Sequence, residues 1–170
     1  FMVSTLSAAI GSLLCGWVCD KIGSKKSLSL VLLAWFFSLT IVIFITDQIW
    51  FWIMGSVVGI LLGSVWTASR PLLTGLVPTS KMGQFFSLYS LFGRAAAIVG
   101  PLIWGLVVLY FKKDFFLVKK VVLFLKSIGI TVSGPVLETI QYRFAIFSLA
   151  VMMLVGWWIL LKVPDKFGKN

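Results

Sequence analysis

Long apolar stretches alternate with short polar breaks along this chain. Residues 1–19, 28–45, 50–69, 85–110 and 144–161 are almost entirely apolar. About 20 such residues, wound as a helix, cross the hydrocarbon core of a bilayer. The second stretch carries no charge at all, and the fourth is interrupted by Arg94 and Pro101. Trp50 and Trp52, Tyr110 and Phe111, and Tyr142 and Phe144 gather at stretch ends, where amphipathic rings suit the headgroup level. The pattern predicts an all-α, polytopic transmembrane helical bundle of about five spans, one domain over residues 1–170.

Composition strengthens this reading. Apolar residues make up 60% of the chain and charged residues 12%, and mean hydropathy is +1.08. Soluble domains are about half apolar and a quarter charged. The expected surroundings are therefore a lipid bilayer, and the expected location is a multi-pass integral position in the inner or plasma membrane of a bacterium. The net charge of +10 lies between and beyond the spans, with no nucleic-acid-binding motif, so no nucleic-acid partner is expected. The spans alternate in direction. Lys21, Lys25, Lys26, Arg70, Lys81, Lys162, Lys166 and Lys169 then share one side, against Lys112, Lys113, Lys119, Lys120, Lys126 and Arg143. The slight excess assigns the first side to the cytoplasm.

Residues 111–140 form a longer connection. Lys112, Lys119 and Lys126 recur every seven residues, as do Lys113 and Lys120, with Phe115, Phe116, Val118, Val122 and Leu123 between them. An amphipathic helix in the interface is expected, ended by Gly129, Gly134 and Pro135. Phe1 lies inside an apolar run with no charged region before it, so we expect no signal peptide here and further helices N-terminal to it.

Few residues carry chemistry. Cys15 and Cys19 are four apart, but there is no histidine and no other cysteine. That is too few soft ligands for a tetrahedral metal site, so no metal, cofactor or enzymatic activity is expected. Gly55, Gly59, Gly63 and Thr67 fall on one helix face, which suits close helix packing or the lining of a path. In the fourth span Ser87, Ser90, Arg94, Ala97, Pro101 and Gly105 share a face. An arginine near the bilayer centre costs about 2.5–3.5 kcal/mol on insertion scales, so Arg94 should face a partner or water. Two roles stay open: an anchor for an anionic or zwitterionic substrate, with Ser90 and Ser87 beside it, or a contact between bundles. Gly100-Pro101 is a candidate hinge. No Asp or Glu lies deep in a span, so a proton-coupling acid is not expected in these residues.

The run Gly16-Trp17-Val18-Cys19-Asp20-Lys21-Ile22-Gly23-Ser24-Lys25-Lys26 resembles the loop motif of major facilitator superfamily transporters, G-x-x-x-D-[RK]-x-G-x-[RK]-[RK]. Ser69-Arg70-Pro71-Leu72, Pro78, Gln84-Phe85-Phe86-Ser87-Leu88-Tyr89, Gly93-Arg94, Gly100-Pro101 and the ending Tyr142–Ile146 to Leu161–Val163 are similar to the C-terminal half of its UMF1 / Atg22-like (vacuole effluxer) branch. Pro71, Gln84, Ser87 and Arg94 stand where that branch has Ser, Glu, Gly and Lys. The resemblance implies the C-terminal part of a major facilitator fold, the five spans being helices 8 to 12. It implies a secondary transporter, with amino acids or other small solutes as efflux substrates and the missing N-terminal helices as partner. It also implies a cytoplasmic gate motif of Gly16, Asp20, Lys21, Gly23, Lys25 and Lys26, in which Asp20 packs against a helix N-terminus of the other half. An anion there is stabilised by the helix dipole. The alternative is a non-transporting, membrane-anchored fragment or gene remnant.

Overall fold

The computed structural model describes residues 2–45, 47–110 and 134–164 and the single positions 120, 123 and 127. Five long helices account for most of these: α1 (Met2–Ile22), α2 (Ser24–Phe44), α3 (Gln48–Leu76), α4 (Met82–Tyr110) and α5 (Gly134–Leu161), with a 3-10 turn at Thr79–Lys81 before α4. All five contain a stretch long and apolar enough to cross a membrane. The chain is an integral, multi-pass membrane protein with an all-helical described fold.

The helices run past the edges of the apolar stretches, for physical reasons that differ by position. The charged break at Gly16–Lys26 is not an extended turn. α1 continues to Ile22 and α2 begins at Ser24, leaving Gly23 at φ 88° as the reversal. Trp17 to Ile22 are all tolerable helix residues, whereas positive φ suits glycine. α3 does not stop at Ser69 but passes through Pro71 to Leu76. α4 likewise runs unbroken through Pro101. α5 begins at Gly134, so Gly134-Pro135 open the last helix instead of ending a loop. Proline costs little there, because first-turn N–H groups have no intrahelical acceptor. The interfacial helix expected over 111–140 otherwise lies almost wholly outside the described residues.

Lateral order differs from chain order. α1 packs chiefly on α3, α3 on α2, α2 on α5, and α5 on α4. A core at one end joins Cys15 and Cys19 of α1, Leu28 of α2, Ala68 and Leu72 of α3, and Leu160 of α5. It sets the C-terminal ends of α1, α3 and α5 level with the start of α2. Lys21, Lys25, Lys26, Arg70 and Lys162 therefore share this basic end. Hydroxyls in the spans mostly bond their own helix, as in Thr40 to Phe36 O (2.8 Å), Thr67 to Gly63 O (3.0 Å) and Ser87 to Gly83 O (2.9 Å). Such bonds satisfy a polar group where lipid offers none.

Candidate functional site

Arg94 sits about 18 Å along α4 from Met82, at 1.5 Å per residue, near the middle of a 29-residue helix. No residue of α4 is buried. Phe86, Ser87, Ser90, Leu91 and Arg94 line an open concavity of about 450 Å³. All five come from two neighbouring stripes of one helix, brought together by the i, i+4 repeat. Ser87 already donates to Gly83 O. Among the described residues no hydrogen bond or ion pair reaches Ser90 or the Arg94 guanidinium, and both are exposed. The site thus presents a fixed cation, with five N–H donors in a planar fork, beside a free hydroxyl and an aromatic ring. Such a set can bind a carboxylate or phosphate in two-point fashion. Phe86 is braced edge-on against Tyr89 (centroids 6.5 Å apart, 70° between planes). Tyr89 is tied to α3 by a 2.8 Å bond between its hydroxyl and Ser69 Oγ. The sequence offered Ser69 and Tyr89 only as parts of motifs; nothing in their spacing paired them.

The basic end holds the residues of the charged motif, but they do not act on one point. Gly16 lies against α3, where an added Cβ would come to 3.9 Å from Thr67 Cγ2. Asp20 is exposed, and no hydrogen bond or ion pair reaches it among the described residues. Lys21 stacks its ammonium 3.6 Å above the Trp17 ring. Lys25 donates to Leu161 O, the last carbonyl of α5 (3.4 Å). A cation suits a helix C-terminus, where unpaired carbonyls gather negative charge. Lys26 is exposed. One turn along α2, Trp157 Nε1 of α5 donates to Ser29 Oγ (2.8 Å). Lys25 and Ser29 thereby meet Leu161 and Trp157 as an antiparallel polar stitch that single-helix periodicity gave no sign of.

The glycine stripe of α3 divides. A Cβ on Gly59 would overlap the Ser4 backbone and one on Gly63 the Ala8 backbone; one on Gly11 of α1 would overlap Ile60. A Cβ on Gly55 would meet nothing within 4 Å, and the Gly55 carbonyl accepts from Ser4 Oγ (3.3 Å). Nearby, Val3, Ser4, Phe51, Trp52, Gly55 and Ser56 line a smaller hollow of about 260 Å³. Across the same seam Ser64 Oγ donates to Gly11 O (3.2 Å) and Cys15 Sγ to Ser64 O (3.4 Å). Cys15 and Cys19 are buried free thiols with sulfurs 3.9 Å apart. Among the described residues no three metal-ligating side chains gather. Gly100 and Pro101 stand within continuous helix, and a Cβ on Gly100 meets nothing within 4 Å.

Comparison with known proteins adds the context. The family model described as Major Facilitator Superfamily matches residues 1–170. The chain is similar to an uncharacterized MFS-type transporter, YxiO, of Bacillus subtilis (strain 168). They are 27% identical over 164 residues, covering 96% of this chain and 32% of the relative. It is also similar to Autophagy-related protein 22 of Candida glabrata, 44% identical over 55 residues, and of Kluyveromyces lactis, 41% identical over 56. Those matches cover 32% and 33% of this chain, and 10% and 11% of the relatives. The chain thus spans about a third or less of the length of each. No solved structure matches it.

Proposed function

The chain belongs to the Major Facilitator Superfamily, and from that premise we propose that it forms the C-terminal bundle of a secondary transporter working by alternating access. In this reading a preceding set of helices, carried by the longer protein, rocks against it around a midplane site. The membrane is the inner or plasma membrane of a bacterium, as suits the Bacillus relative that aligns with nearly the whole chain. The solute is small and carries an anionic group; amino-acid efflux, suggested by the Atg22-like resemblance, is the first class to test.

One observation carries the proposal: Arg94, mid-helix and exposed, on a helix with no buried residue. An arginine at that depth is costly unless it meets water, a ligand or a partner. Ser90 and Phe86 beside it complete a surface for a polar solute. The test uses the full-length protein in proteoliposomes. Arg94→Ala should lower amino-acid transport at least tenfold, and Arg94→Lys should restore part of it by keeping the charge while losing the fork. Unchanged substrate affinity and folding in Arg94→Ala would remove the residue from the site. Asp20 is proposed as a latch that holds the cytoplasmic face closed. Asp20→Ala should then raise the accessibility of that face to a water-soluble thiol reagent and alter the transport rate. If neither moves, the motif is only a topological turn.

A further inference from the structure

Three tryptophans at the basic end share one arrangement. Trp17, Trp66 and Trp158 each precede a cation by four residues, which places the cation on the same helix face one turn on. Lys21 Nζ lies 3.6 Å from the Trp17 ring centroid, Lys162 Nζ 3.7 Å from that of Trp158, and the Arg70 guanidinium carbon 5.7 Å from that of Trp66. The pairs lie at or near the C-terminal ends of α1, α3 and α5. Leu72 and Ala68 pack with Cys19 and Leu160 in one core, so Arg70 stands level with Lys21 and Lys162. The three tryptophans are 61%, 52% and 58% exposed, and all three cations are exposed. Tryptophan favours the membrane–water interface, and a ring beneath a cation attracts it through its quadrupole.

We infer that these three pairs are binding sites for the headgroups of anionic phospholipids, holding the basic end of the bundle in an anionic leaflet. A free lysine at this depth would snorkel through many rotamers. Here the indole face holds the cation at headgroup height and leaves N–H donors for a phosphate oxygen. Charge complementarity selects the lipid class. Among the described residues at this end, Lys21, Lys25, Lys26, Arg70, Lys81 and Lys162 stand against the single acid Asp20. A zwitterionic headgroup offers the same phosphate with its own cation attached, and so gains less. This inference requires only that the chain lies in a membrane, and does not depend on the transport reading.

The test compares two variants of the full-length protein in phosphatidylcholine vesicles doped with spin-labelled phosphatidylglycerol or spin-labelled phosphatidylcholine. Electron spin resonance reads the preference of protein-bound lipid for phosphatidylglycerol. The native protein should show a clear preference. Lys21→Gln/Arg70→Gln/Lys162→Gln should weaken it by about fivefold per site, the factor matching about 1 kcal/mol per near-surface cation. Trp17→Leu/Trp66→Leu/Trp158→Leu keeps every charge and should still lose at least half of the preference. An unchanged preference in either variant overturns the assignment. Loss in the cation variant alone would mean that net charge acts without the rings, which also overturns it. If a triple variant fails to assemble, Trp17→Leu and Lys21→Gln singly carry the same comparison.

Discussion

The α1–α3 seam and the outward face of α4 are built from the same small residues and end in opposite states. In the seam, Gly11, Gly59 and Gly63 bring two backbones into contact; Ser4 donates to a carbonyl of the facing helix, and Ser64 Oγ lies within reach both of Gly11 O on that helix (3.2 Å) and of Ile60 O on its own (2.8 Å). On α4, a Cβ added to Gly93, Gly100 or Gly105 would meet nothing within 4 Å, and Ser87 bonds its own helix. Lipid tails are as apolar as the side chains, so association needs close packing and polar bonds. The seam has both. α4 has neither on its outward side, yet it carries the one arginine placed mid-span. Small residues on a helix face therefore mark an opportunity for contact, and the backbone that an added Cβ would meet shows whether it was taken.

The sharpest way to break this contrast is to add single methyl groups. Gly63→Ala or Gly59→Ala must push a Cβ into the backbone of Ala8 or Ser4. Overpacking of this kind costs about 3 kcal/mol where the neighbour is backbone and cannot rotate away. Gly55→Ala, on the same stripe but in open space, should be neutral or slightly favourable. So should Gly93→Ala and Gly105→Ala, since alanine is the better helix former by about 1 kcal/mol. Thermal unfolding of the full-length protein in detergent reads all five. If Gly105→Ala proved as costly as Gly63→Ala, a segment outside the described residues would be packed against α4, and the contrast would belong to the described residues alone.

What could be read from sequence follows the same division. Five spans were legible because the energetic demand for apolar length is local and large. The family was legible because its motif lies within eleven consecutive residues, Gly16 to Lys26. Arg94 stood out because a charge among apolar residues is an anomaly in one dimension. The partners were not legible. Gly59 announces a close approach but cannot say that Ser4, 55 residues earlier, supplies it, whereas a Cβ on Gly55, on the same stripe, would enter open space. Lys25 reads as a topological charge, and its acceptor at Leu161 is 136 positions away. The helices also outrun the apolar stretches, past Ser69 in α3 and ahead of Phe144 in α5, because hydropathy marks where lipid ends and hydrogen bonding marks where a helix ends.

A smaller effect tests how α4 is attached. It packs mainly on α5 and only slightly on α3, so apart from the single Ser69–Tyr89 bond its hold on the seam passes through α5 and α2. That route includes the stitch of Lys25 to Leu161 O and Trp157 to Ser29. Trp157→Phe and Lys25→Met together should lower stability by on the order of 1 kcal/mol, since hydrogen bonds between membrane helices average about 0.6 kcal/mol. Hydrogen exchange gives the more telling readout: protection should fall in α4 and α5 and stay unchanged in α1 and α3. Equal loss in all four helices would mean that the bundle opens as one unit.

The smallest expected effect asks whether burial alone stabilises the packed side. Ser64 and Ser27 are both buried, at 5% and 1% exposure. Ser64 Oγ lies within hydrogen-bonding distance of Gly11 O and Ile60 O. Among the described residues Ser27 Oγ has no hydrogen-bond partner. A buried hydroxyl left unpaired forfeits its hydration without compensation, a penalty of about 1–3 kcal/mol, whereas a paired one contributes about 1 kcal/mol net. Ser64→Ala should therefore lower the stability of the full-length protein by about 1 kcal/mol. Ser27→Ala should raise it by about the same amount, because the methyl group keeps most of the volume and removes the unpaired dipole. The opposite signs are the measurement, read by thermal unfolding under one set of conditions. If Ser27→Ala destabilises instead, its hydroxyl meets an acceptor outside the described residues. The start of α2, next to the Gly23 reversal, would then hold a further polar bond beside the Lys25–Leu161 and Ser29–Trp157 stitch.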